Sequence, residues 1–181
     1  MLMFPLVACG DNLGDYRLED VRVVEDISQV AIEGMEFQAP SEYLRVELSS
    51  EASLYTANTG PGLYADADFC PLKNADQMIA FGPVATDEKA VESWKRDDVL
   101  QRDPHDQRYH YFVYIVPSSP QRKIFANSDD TPAYDLRRQV RDVCVRFHVP
   151  GYNIQASSSN TVQIPANAIE GAFRRGTPKS Q

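Results

Sequence analysis

Few residues in this chain could do chemistry, and their spacing decides which chemistry is open to them. There are three histidines, His105, His110 and His148. None falls in a His-x-His or His-Glu-x-x-His spacing, the arrangements that bring two imidazoles to one zinc ion. Asp103, His105 and Asp106 lie close enough for acid–base work. Pro104 interrupts them, however, and the surrounding polar stretch 97–107 reads as a long exposed loop, a poor setting for a positioned proton donor. Asp66 and Asp68 place paired carboxylates on one face of a strand. A calcium loop needs more oxygen ligands and a glycine at its bend, so a solvated strand face is expected instead. Asp129 and Asp130, after Asn127 and Ser128, read as a turn. No Gly-x-Ser-x-Gly elbow, Gly-rich phosphate loop or dinucleotide fingerprint occurs. The inventory predicts no catalytic residues, no metal site and no cofactor.

The elements around these residues repeat every two positions. Leu44, Val46 and Leu48 alternate with Arg45 and Glu47, as in a half-buried strand. Residues 108–116 are β-branched and aromatic on both faces and end at Pro117, which predicts a central strand. Val143, Val145, Phe147 and Val149 share one strand face, leaving Cys144, Arg146 and His148 on the opposite, outer face. Further strands are expected at 21–25, 29–37, 53–56, 63–70, 77–81, 152–156 and 160–164. Turns fall at 58–62 and a polar loop at 157–160. One short helix is expected after Thr86, with acidic residues in its first turn, Trp94 near its end and Lys95 and Arg96 following. The fold class is therefore mainly all-β: an antiparallel β-sandwich, immunoglobulin-like in broad architecture, with one short helix and a long loop.

The chain is 181 residues long, with 18 basic and 26 acidic side chains and a net charge of −8. Such acidity argues against nucleic acid as a partner, since phosphates need a basic surface. No apolar stretch reaches the ~18 residues of a membrane-spanning helix. Tyrosine and tryptophan anchor interfaces, so Trp94 beside the acidic Asp97 and Asp98 is the first interface candidate. The loop residues Asp103, His105 and Asp106 extend that candidate partner-binding set.

Leu6-Val7-Ala8-Cys9, followed by Gly10, resembles the lipobox of bacterial lipoproteins. The resemblance implies acylation of Cys9, cleavage before it, and stable anchoring by two or more acyl chains. Residues 1–8 would then be the remnant of a signal peptide whose start lies upstream, because the stretch has no basic residue and is short for an apolar core. Gly10 resembles outer-membrane sorting. Residues 9–15 read as a lipidated tether, 16–173 as a single domain and 174–181 as a frayed tail. With Cys9 lipidated, Cys70 and Cys144 remain. In an oxidising periplasm they are expected to form a disulfide; two unrelated buried thiols are the alternative.

The layout as a whole resembles the small immunity lipoproteins encoded beside type VI secretion effectors, phospholipase effectors especially. The matching features are the lipobox, one acidic β-rich domain and a single disulfide joining a mid-chain strand to a late one. The resemblance implies a non-enzymatic protein that neutralises a toxic effector by inserting an acidic, aromatic-bearing loop into its active-site cleft. A structural or assembly lipoprotein, such as a secretion-system anchor or a pilotin, shares the tether and the sandwich. A hydrolase or ligand-binding lipoprotein ranks last, for want of a nucleophile, base or metal set.

Overall fold

The computed structural model describes residues 12–25, 41–54, 62–72, 78–85, 102–123, 130–149 and 157–176. The expected strands 29–37 and 152–156, the expected helix after Thr86, and Cys9, Trp94, Asp97, Asp98 and Asp129 lie outside them. The described part is mainly antiparallel β-structure arranged as two four-stranded sheets around one core.

The first sheet runs in the order β1 (Tyr16–Val24), β2 (Tyr43–Ser50), β5 (Tyr109–Ile115), β4 (Ala80–Ala85). β5 is central and buried on both faces, as its composition predicts. Tyr111, Val113 and Ile115 enter the main core, while Phe112 and Tyr114 join Tyr43, Val84 and Val116 in a second apolar cluster on the outer face. In the second sheet β10 (Val143–Val149) is central. β3 (Tyr64–Phe69) pairs with it on one side, and the short β11 (Ser157–Ser158) and β12 (Val162–Ile164) pair along it as well. Val143, Val145 and Phe147 are 0% exposed and meet Leu44, Val46 and Leu48 of β2 in the shared core. Two minor two-stranded ladders join β6 (Ser118–Ser119) to β9 (Tyr134–Asp135) and β7 (Arg122–Lys123) to β8 (Asp130–Thr131). Asp130 is thus in a ladder rather than in the turn its neighbours suggested.

Several boundaries differ from the sequence expectation, each for a tertiary reason. β1 begins at Tyr16, not 21. Its polar first half is held as a strand by pairing with β2 through a register shift between Leu18 and Asp20. The end of the expected tether is docked rather than loose. Leu13 is 1% exposed and its amide donates to the carbonyl of Ser158 at 3.1 Å, while Asn12 bridges Ser158. The polar run 157–160 is likewise structural. Asn160 accepts from the Tyr16 amide at 2.7 Å and donates back to its carbonyl at 2.8 Å. Ser159 Oγ accepts from the Phe147 amide at 3.0 Å. Ser53 and Leu54 lie outside any strand.

β4 was expected over 77–81 but runs Ala80–Ala85, crossing Gly82 and Pro83 by a register shift against β5. Gly82 has φ +130°, and a Cβ there would stand 2.7 Å from the Phe112 carbonyl oxygen. Backbone, not a flexible side chain, blocks the position.

A helix the sequence reading did not anticipate, α1 (Ala166–Gly176), packs Ile169, Ala172 and Phe173 into the core. These three follow i, i+3, i+4 spacing. Its first amide is capped by Asp142 Oδ1 at 2.8 Å, from 24 residues away. The helix carries the ordered chain to Gly176, three residues past the boundary expected at 173. A Cβ on Gly176 would lie 2.8 Å from that of Val23, so the helix end sits hard against β1.

Cys70 and Cys144 are bridged, with Cα atoms 5.1 Å apart and a separation of 74 positions in sequence. In the chain-entropy picture a loop of this size stabilises by about 4 kcal/mol.

Two outcomes are expected in urea unfolding. The double variant Cys70→Ala/Cys144→Ala loses about 4 kcal/mol relative to the oxidised protein. Gly82→Ala loses on the order of 1–3 kcal/mol with an unchanged denaturant slope, because the φ value is strained for alanine and its methyl meets a carbonyl.

Candidate functional site

The largest connected set of charged side chains among the described residues lies where β1, β2 and β5 meet the turn leading into β5. Alternation along β2 places Glu47 and Ser49 on the outer face, opposite Leu48; alternation along β5 places His110 beside them. His110 Nδ1 lies 2.8 Å from Glu47 Oε1 and its Nε2 lies 3.1 Å from Asp106 Oδ2. Ser49 Oγ donates to Glu19 in a short contact and accepts from Arg108 Nε at 2.8 Å. Arg17 bonds Glu19 at 2.5 Å and reaches to within 3.8 Å of Asp106, while Arg108 pairs with Glu51 at 3.1 Å.

This network holds the turn that the sequence marked as a contact surface. Asp103 Oδ1 accepts from the His105 amide at 2.7 Å, and Asp106 Oδ1 accepts from the Arg108 amide at 2.9 Å. The Asp103 amide donates to the Arg108 carbonyl, and the Gln107 amide to that of Asp103, both at 2.8 Å. Gln107 takes φ 60° to close it. Pro104, His105, Asp106 and Gln107 are exposed at the tip. Asp103, His105 and Asp106 are thus brought together, but as a self-bonded turn and not as an acid–base cluster. Asp106 is the link from the turn to His110. Sequence reasoning missed Arg17, Glu19, Glu47, Ser49, Glu51, Arg108 and His110. Alternation alone could have placed Glu47 and His110 on outer faces, but not as diagonal neighbours across β2 and β5.

The protonation states follow from the contacts. Burial alone would lower the His110 pKa, but hydrogen bonds to Glu47 and Asp106, and their charges, outweigh it and raise the value above the usual 6.5. Burial would raise Glu19, yet bonds from Ser49 and Arg17 bring it below its ordinary 4.5. Asp106 is lowered from 3.8, chiefly by the Arg108 amide, with His110 adding to it. With a carboxylate on each ring nitrogen, His110 is held as an imidazolium donor to both. The base facing the Ser49 hydroxyl is Glu19, whose lowered pKa and bond to Arg17 make it a weak proton acceptor for activating a nucleophile.

A second cluster lies on the outer face of the other sheet. Asp66 and Asp68 are each 2% exposed, so the solvated face expected for them is corrected. Cross-strand pairing sets Asp66 opposite Arg146. The carboxylate lies 2.9 Å from Arg146 Nη2 and 2.9 Å from His148 Nδ1. Asp68 accepts from the Phe69 amide at 2.6 Å. Tyr64 lies over His148, ring centroids 5.7 Å apart. This cluster stitches β3 to β10 beside the disulfide. A hollow of about 140 Å³ nearby is lined by Phe69, Met78, Pro132, Tyr134 and Arg141 among others and gathers no group of acids, bases or nucleophiles. Among the described residues no group of His, Cys, Asp and Glu could hold a metal ion, and no helix is long and apolar enough to cross a membrane.

No protein-family model, curated protein or solved structure matches the chain.

The His110 network makes stability depend on pH in two directions. The raised histidine contributes stability that is fully present below its unfolded value near 6.5 and is lost as pH rises through its folded value. The lowered Glu19 and Asp106 contribute stability present above about 4–4.5 and lost as pH falls through their folded values. The contribution of the network is therefore greatest between about pH 4.5 and 6.5. By NMR titration His110 is expected to titrate above 6.5. Glu47→Gln and Asp106→Asn are each expected to bring that midpoint down, and an unmoved midpoint in both variants counts against the two-carboxylate clamp.

Proposed function

We propose that this protein is a non-catalytic lipoprotein that faces the periplasm, held on the outer membrane by acyl chains on Cys9. There it neutralises a toxic effector enzyme, a phospholipase delivered by type VI secretion, by occluding its active site. The observation that carries the reading is the exposed turn at 103–107, which is ordered by its own hydrogen bonds before any partner arrives. A rigid protruding turn loses little conformational freedom on docking, so more of its contact energy appears as affinity. Its tip presents Pro104, His105 and Asp106, a compact polar probe suited to a cleft. The acidic excess of the chain would speed encounter with a basic partner and make the rate fall with salt.

His110 supports the same reading. Its ring nitrogens face two carboxylates, which suits it to bracing the turn rather than to shuttling protons. Trp94, Asp97 and Asp98, next in sequence toward the turn, belong to the same proposed contact set.

The test is protection in co-expression. The full natural gene product should rescue cells from the periplasmic toxicity of the enzyme encoded beside it. The triple variant Asp103→Ala/His105→Ala/Asp106→Ala should weaken binding to that enzyme by about 2 kcal/mol or more, roughly 30-fold, while its unfolding stays cooperative. Unchanged affinity in the triple variant removes the turn from the interface, and absence of any protection removes the immunity reading. In cell fractionation, Cys9→Ser should shift the full gene product from membranes to the soluble fraction. A wild-type product that is already soluble excludes the lipid anchor.

A further inference from the structure

We propose that Arg22, Arg45 and Tyr43 form a phosphate-binding site on the outer face of the first sheet, separate from the turn and independent of its role. Arg45 is 8% exposed and holds its guanidinium over the Phe112 ring, 3.6 Å from the centroid. Its Nη1 is buried and has no hydrogen-bond partner among the described residues. The hydroxyl of Tyr43, two residues earlier on the same face and 1% exposed, is also buried and without a partner among the described residues. Arg22 stands directly opposite Arg45 on the edge strand β1. Among the described residues neither guanidinium has a carboxylate partner. Of the carboxylates one rung along this face, Glu47 is engaged by His110 and Asp20 stands opposite Glu47.

Three separate costs meet at this point. Like charges directly opposite across two strands destabilise the pair. A buried charge without a counterion is expensive. Buried donors without acceptors are rare in folded proteins and call for a missing partner. A single anion relieves all three. Opposed residues have Cβ atoms about 5 Å apart, and residues two apart along a strand about 7 Å apart, so these long side chains can reach one group. Donors arriving from three side chains on two strands suit the several oxygens of a tetrahedral phosphate; one guanidinium alone would saturate a planar carboxylate. Packing over Phe112 leaves the edge donors of Arg45 available. Arg22 is exposed at the sheet edge, which makes that edge the way in.

The test is thermal unfolding and calorimetric titration with inorganic phosphate, against chloride at equal ionic strength. The wild-type protein should show a saturable rise in Tm. Arg22→Gln, at an exposed position that should not disturb folding, should weaken phosphate binding about tenfold. Arg45→Met should abolish the phosphate response, since it removes the central donor of the site. Arg138→Gln, at a remote exposed arginine, should leave the response intact. Phenyl phosphate separates the two sources of the group: tighter binding than inorganic phosphate assigns the site to a phosphate ester, equal or weaker binding to the free ion. No saturable rise with either compound, or the same rise in wild type and Arg22→Gln, overturns the proposal.

Discussion

The two sheets meet around a trio of aromatic rings at the centre of the shared core. Tyr16 of β1, Tyr111 of β5 and Phe147 of β10 meet edge to face, with centroids 4.9 Å apart for Tyr16 and Phe147, 5.8 Å for Tyr16 and Tyr111, and 6.3 Å for Tyr111 and Phe147. Edge-to-face pairs add about 0.5–1.5 kcal/mol each beyond the area they bury. Their polar atoms are provided for. The Tyr16 hydroxyl donates to the Leu13 carbonyl at 3.1 Å, and that of Tyr111 accepts from the Leu54 amide at 2.9 Å. Burial, and next the neighbouring Tyr111, push the Tyr16 phenol up, so it stays a neutral donor. Through these two bonds the trio also pins the chain before β1 and the chain after β2. The docking of Leu13, the clamp of Asn160 on Tyr16 and the position of β1 against the second sheet all follow from Tyr16 occupying this point.

With the core closed in this way, chemistry is confined to the outer faces, and the two faces differ. On the first sheet the outer face is divided along the strands. The Tyr43, Val84, Phe112 and Tyr114 end is apolar, the Ser49, His110 and Glu47 end is ionic, and Arg45 stands between them. On the second sheet the outer face buries two carboxylates, Asp66 and Asp68, and Arg146 and His148 share that of Asp66. A buried carboxylate that lost either partner would be left poorly compensated, so the pair acts as a register lock between β3 and β10. The exposed ion pairs, such as Arg138 with Asp135 and Arg174 with Glu170, add little to stability.

The legible part of this fold was whatever local periodicity encodes. Strands such as β2, β5 and β10 announce themselves because every second residue must face a core, and β5 announces its central place because both of its faces are apolar. What failed to show had its cause elsewhere in the chain. α1 has no local cap: Pro165 precedes it, and the capping carboxylate comes from Asp142. Residues 12–15 and 157–160 look like solvated linkers by composition, yet each satisfies the other's backbone across the gap between sheets. Asp66 and Asp68 look solvated because acidic residues usually are; the burial of Asp66 depends on Arg146 arriving opposite it, and Asp68 stands opposite Cys144 of the disulfide.

Sequence alone therefore determined the β-rich class, the acidic balance, and the absence of any spacing that signals a nucleophile or a metal. These are properties of composition and short-range order, and a side chain carries them wherever the fold puts it. Register and proximity were decided only in the tertiary structure. It set His110 between Glu47 and Asp106, and Arg22 opposite Arg45. It also turned Asp103 and Asp106 from a candidate acid–base pair into the hydrogen-bonded frame of a turn. Tertiary contacts here join residues up to 154 positions apart, and the free energy that selects them belongs to the closing of the core around Tyr16, Tyr111 and Phe147, which no local pattern encodes.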